Sequence, residues 1–109
     1  MHIKISSEAK QFLVKKEKVT RLLIDIDQID EGCTRIYNPK IELLENGKEP
    51  EEIKISIEME LEGYTFFISR RFSEIYGSIS ELIIDIGGLF EKVLIIDNIE
   101  AQTKNICKV

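Results

Sequence analysis

The chain has no tryptophan, one histidine, two prolines and two cysteines in 109 residues, and each scarcity excludes something. With His2 as the only imidazole, sited in what reads as an opening strand, a Cys–His nucleophile or histidine acid–base pair is not expected, and the chain reads as non-enzymatic. Two thiols are too few for a disulfide scaffold, so Cys33 and Cys107 are either passive small side chains or reactive, metal-binding ones. Zinc is disfavoured, because Cys33, Cys107 and His2 come from distant positions without the close pairs of structural zinc sites. No apolar run approaches a membrane span, and Met1-His2-Ile3-Lys4 lacks the charged-then-apolar order of a secretory signal. The expected setting is therefore cytoplasmic, with no membrane partner. Basic blocks are missing too. Lysines and arginines are interspersed with acids at a formal charge of −5, which argues against nucleic acid. There is no repeat and no low-complexity tract.

What remains is a 43% apolar chain, enough for one domain over residues 1–109 with its own core. Residues 2–5 read as a short strand. Ser6-Ser7-Glu8 caps a helix running to about Lys18, with Ala9, Phe12 and Leu13 on one face and lysines on the other. Residues 20–28 read as a strand with Leu22, Ile24 and Ile26 inward and Asp25 and Asp27 outward. Asp25, Asp27, Asp30 and Glu31 form an acidic outer face. They lack the glycine and terminal acid of a calcium loop.

Residues 41–44 continue a strand up to a turn at Asn46-Gly47. From Ile53 to Leu61 strict alternation marks the clearest strand, and Glu62-Gly63 turns it into a hairpin with residues 64–68. Ser69 caps a second helix carrying Phe72, Ile75, Tyr76 and Ile79. Arg70 and Arg71 lie in its first turn, where cations oppose the helix dipole; they are either held for a carboxylate or phosphate or idle at the surface. Residues 82–86 and 89–96 read as strands covered on both sides, broken by Gly87-Gly88. The pattern then decays into a polar, flexible tail over 98–109 that carries Cys107. This is a mostly β (α+β) fold, a two-sheet sandwich or pseudo-barrel with two short helices.

The densest chemistry is Gly32-Cys33-Thr34-Arg35-Ile36-Tyr37-Asn38-Pro39, placed on a loop or strand edge. Gly32 lets the backbone approach, Arg35 and Tyr37 shape a pocket, and a cation beside the loop favours a reactive Cys33 thiolate. If Cys33 and Cys107 form a redox pair, their Cα atoms must come within about 7 Å.

Ile3-Lys4-Ile5-Ser6 with Ala9 and Leu13, the apolar run 22–26, Gly32-Cys33-Thr34 ahead of Tyr37, and Asn98 nine residues before Cys107 together resemble the HesB-like domain of A-type iron–sulfur cluster carriers. The resemblance spans essentially the whole chain. That family uses one cysteine in a Gly-Cys loop and two in a C-terminal Cys-x-Cys. Cys33 matches the first and Cys107 the last, which puts Asn105 where the remaining thiol would stand; Arg35 and Ile36 replace small residues. The resemblance implies Cys33 and Cys107 as metal ligands for a [2Fe-2S] or [4Fe-4S] cluster shared across a homodimer. It further implies apo iron–sulfur proteins or an assembly scaffold as partners. The alternative is a cluster-free interaction or small-molecule-binding module whose cysteines are incidental or a redox pair.

Overall fold

A computed structural model describes residues 1–45, 48, 50 and 53–107. Its elements are β1 (His2–Ile5), α1 (Ser7–Val14), β2 (Val19–Glu31), β3 (Thr34–Glu45), β4 (Ile55–Leu61), β5 (Tyr64–Ser69), α2 (Arg70–Tyr76), β6 (Glu81–Gly87), β7 (Val93–Ile96) and β8 (Gln102–Asn105). The strands form two sheets, β1-β6-β7 and β4-β5-β2-β3-β8. The mostly β, α+β class with two sheets and two short helices is therefore as expected.

Local chemistry explains most of the elements. Ser6 caps α1 by accepting the Ala9 N–H at 3.1 Å, and its hydroxyl donates to Asp85 on β6 at 2.7 Å, so one side chain starts the helix and docks it. The helix stops at Val14 and does not reach Lys18. Beyond Leu13 the next turn offers only Lys16 and Glu17 where an apolar contact is needed, and a short helix without packing is unstable. Ser69 caps α2 in the same way, accepting from the Phe72 N–H at 3.2 Å. The β4–β5 hairpin turns on Glu62 (φ 52°) and Gly63 (φ 86°), the paired positive φ values of a type I′ turn. The Asn46-Gly47 turn lies outside the described residues.

The main core sits between the sheets and helices. Leu22, Ile24, Ile26, Phe66 and Ile68 of the large sheet meet Leu82, Ile84, Leu94 and Ile96 of the small one, with Ala9 and Leu13 of α1 and Phe72 and Tyr76 of α2 filling in. The Phe72 and Tyr76 rings lie 5.0 Å apart. Burying one such aromatic contributes on the order of 2–3 kcal/mol. A second cluster, Leu23, Leu44 and Phe67, lies apart from it. Strand β2 is thus buried at five consecutive residues, 22–26, and Asp25 is fully buried instead of facing out.

Three further expectations are refined or corrected. The segment 32–39, placed on a loop or strand edge, divides into a turn at Gly32-Cys33 and the start of β3 from Thr34, because β2 pairs with β3 along its whole length from Glu31↔Thr34 to Val19↔Glu45. The strand read over 89–96 begins only at Val93; Leu89 and Phe90 are fully exposed in the β6–β7 connection. The polar stretch 98–109 contains a strand, β8, on the edge of the large sheet. Asn98 leads into it by closing over β6: its Oδ1 accepts from the Ile83 N–H at 2.9 Å and its Nδ2 donates to the Glu81 carbonyl at 2.7 Å. The Tyr76 hydroxyl donates to the Glu100 carbonyl at 2.5 Å.

Candidate functional site

The β2–β3 hairpin runs past the core. Residues 27–31 of β2 are exposed, and the hairpin closes on Gly32 and Cys33. Gly32 alone of the two turn residues has positive φ (57°), the pattern of a type II′ turn, and a Cβ there would meet nothing within 4 Å, so the constraint is conformational and not steric.

Strand β8 adds to the outer edge of this hairpin, pairing Thr34↔Asn105, Arg35↔Lys104, Ile36↔Thr103 and Tyr37↔Gln102. All four β8 residues are exposed. Beyond them the Ile106 N–H donates to the Cys33 carbonyl at 2.8 Å, and the Asn105 Oδ1 accepts from the Cys107 N–H at 2.9 Å. That last bond turns the chain so that Cys107 reaches Cys33. Their Cα atoms are 4.9 Å apart and the two are joined as a disulfide spanning 74 residues of sequence. Both cysteines are exposed.

The other residues singled out in the sequence take separate positions. Arg35 faces Asp30 across the hairpin and donates to both its oxygens, at 2.8 and 3.2 Å. That bond holds the Asp30 carboxyl below the usual carboxylate range and, with a smaller contribution from Tyr37, raises the Arg35 guanidinium. Tyr37 is partly buried against the main core. Gly32, Cys33 and Cys107 therefore meet at the hairpin tip, with Arg35 and Tyr37 following on β3. His2 belongs to β1 in the other sheet. Among the described residues no group of three or more His, Cys, Asp or Glu side chains is placed to hold a metal ion. The two sulfurs of one chain are half of the four ligands an iron–sulfur cluster normally takes.

Asp25, read in the sequence as an outward-facing acid, is a carboxylate that holds Arg71. Arg71 donates from Nε and Nη2 to the two oxygens of buried Asp25, both at 2.6 Å. Burial pushes the Asp25 carboxyl up, but hydrogen bonds from Arg71, Ser69 and the Ile26 backbone outweigh it, so its pKa is lowered overall. The available signal was an aspartate inside the apolar run Leu22-Leu23-Ile24-Asp25-Ile26, together with an arginine in the first turn of α2. Arg71 also lines a cleft of about 240 Å³ with Ile53, Lys54, Arg70 and Glu74.

Fold and site together define a small two-sheet α+β domain with an exposed disulfide at the tip of its longest hairpin. No family model matches the chain, and no curated protein or solved structure matches it. Among the described residues no helix is long and apolar enough to cross a membrane.

Proposed function

We propose that this chain is a non-enzymatic binding module governed by the redox state of Cys33 and Cys107. The observation that carries the reading is the joining of two exposed cysteines, 74 residues apart in sequence, across an edge strand that buries no side chain of its own. An exposed disulfide is open to thiolate attack and belongs to the labile, regulatory kind more than to the structural kind. In the exchange, a thiolate of a dithiol reductant attacks one sulfur and forms a mixed disulfide, releasing the other cysteine as a thiol. The reductant's second thiolate then displaces the first cysteine. The products are two cysteine thiols here and one disulfide on the reductant.

Once reduced, β8 is held by four residue pairs and by no buried apolar surface. Its departure exposes the outer edge of β3 at residues 34–37, and an unpaired edge accepts an extended strand from a partner. Amide hydrogen exchange in oxidised and reduced protein tests this. Reduction is expected to abolish protection in residues 34–37 and 102–105 while β2, β5 and β6 stay protected. Unchanged protection in the reduced protein, or cysteines that stay free in an oxidising glutathione buffer, overturns the reading.

The approach of the two sulfurs favours one second reading. The resemblance to HesB-like carriers requires two cysteines converging in each chain, and four thiolates would then come from two copies of this chain, with apo iron–sulfur proteins or an assembly scaffold as partners. Anaerobic reconstitution with iron and sulfide is expected, on that reading, to produce visible absorption and a doubled mass, both lost in Cys33→Ser. A colourless monomer removes it.

A further inference from the structure

The cleft between the start of β4 and the first turn of α2 is unconnected with the cysteines, and it gathers cationic side chains around one guanidinium held in place from below. Asp25 is fully buried on the central strand β2, where the pleat puts it on the same face as Leu23 of the second apolar cluster. A buried carboxylate is a poor source of stability compared with an apolar residue of similar size. What Asp25 does provide is a fixed Arg71: two 2.6 Å bonds hold Nε and Nη2 in one plane. The Arg71 side chain remains about half exposed (53%) and lines the cleft, and a guanidinium has donors beyond the two that Asp25 takes.

Arg70 stands beside it in the first turn of α2, where the helix dipole disfavours a cation. Lys54 also lines the cleft, and the Arg70 N–H donates to its carbonyl at 2.8 Å, which keeps the two residues side by side. The side chains of Lys54 and Arg70 are exposed and have no ion-pair partner among the described residues. Three cations thus line one cleft, and among its described lining residues Glu74 is the only acid; Arg71 is paired with Asp25 and also feels the charge of Asp27.

We infer that Lys54, Arg70 and the pinned guanidinium of Arg71 form a binding site for a small, multiply charged oxyanion, a phosphate or a dicarboxylate. The shared chemistry is a cluster of oxygens bearing negative charge. A guanidinium already held in plane meets it with little loss of side-chain freedom, and Lys54 and Arg70 add charge in the same cleft. The roughly 240 Å³ of the cleft falls below the usual 300–1,000 Å³ of sites for drug-sized ligands, so the ligand is small. Ile53 supplies an apolar wall for a short carbon skeleton, and Glu74 can accept a hydroxyl or ammonium group of the same molecule.

The test is an NMR titration of the isotopically labelled full chain with sodium phosphate and, separately, sodium succinate, against sodium chloride at matched ionic strength. Saturable amide shifts confined to residues 53–54 and 70–74 are expected. Affinity should fall at least tenfold in Lys54→Ala and in Arg70→Ala, whose exposed side chains leave the remaining spectrum unchanged. Asp25→Asn should weaken binding by releasing Arg71; if that variant does not fold, the two surface variants still decide the matter. The anion that saturates at the lower concentration identifies the ligand class. Shifts that chloride reproduces, shifts that never saturate, or undiminished affinity in Arg70→Ala overturn the assignment.

Discussion

Strand β2 holds two aspartate–arginine pairs in opposite surroundings. In its inner half Asp25 is fully buried and grips Arg71 of α2 at 2.6 Å; in its outer half Asp30 is exposed and meets Arg35 across the hairpin at 2.8 Å. The partners and the bidentate geometry are the same. What differs is the solvent: in the interior an unpaired carboxylate has no water to fall back on, whereas at the surface water and salt replace the partner readily. The two halves are accordingly secured by different means. The inner half relies on packing and a pinned charge, the outer half on backbone pairing and the Cys33–Cys107 bond.

The largest effect is expected from Arg71→Ala, which strands the Asp25 carboxylate in the interior. A loss of about 3–5 kcal/mol in urea unfolding at pH 7 is expected, and a loss below about 1 kcal/mol would mean that water reaches Asp25 and that the contrast between the halves is false. Next comes Cys33→Ser. Opening a 74-residue loop should cost about 4 kcal/mol by the chain-entropy account. In hydrogen exchange the loss should be greatest in residues 34–37 and 102–105, where β8 leaves before the core opens; protection falling equally across β2 and β8 would show that the two unfold together.

Acid separates the pairs further. The native pKa of Asp25 lies below its ordinary value of 3.8, so the unfolded chain binds the proton more readily. The stabilisation is complete above the ordinary carboxylate range and is lost as pH falls through the native pKa. In Arg71→Ala only burial and the lesser hydrogen bonds act on Asp25. The dependence should then weaken or reverse, with the gap from the parent chain narrowing in acid; a constant gap in denaturation curves from pH 7 to pH 3 would contradict the assignment. The smallest effect is expected from Arg35→Ala, which should leave the unfolding midpoint unchanged within error. A clear loss would show that the outer hairpin is less solvated than its exposure indicates.

Alternation at residues 53–61, the apolar spacing around Ala9 and Leu13, and the capping serines Ser6 and Ser69 act within a few residues of themselves. Those elements, and with them the mostly β class, were legible in the chain. So was the position of Cys33 beside a turn glycine, because Gly32 must supply a backbone angle that other residues resist. The rest depended on neighbours remote in sequence. Asp25 alternates like a surface residue, and only the arrival of α2, 46 positions later, makes its burial tolerable. Residues 102–105 carry no apolar pattern, because an edge strand with both faces in water needs none; pairing with β3 alone makes them a strand. Sequence by itself therefore determined which segments extend, which coil and where two sulfurs were available. Tertiary structure decided which charge went inside and which thiol met which, since burial and long-range pairing are properties of the assembled surface and leave no local trace.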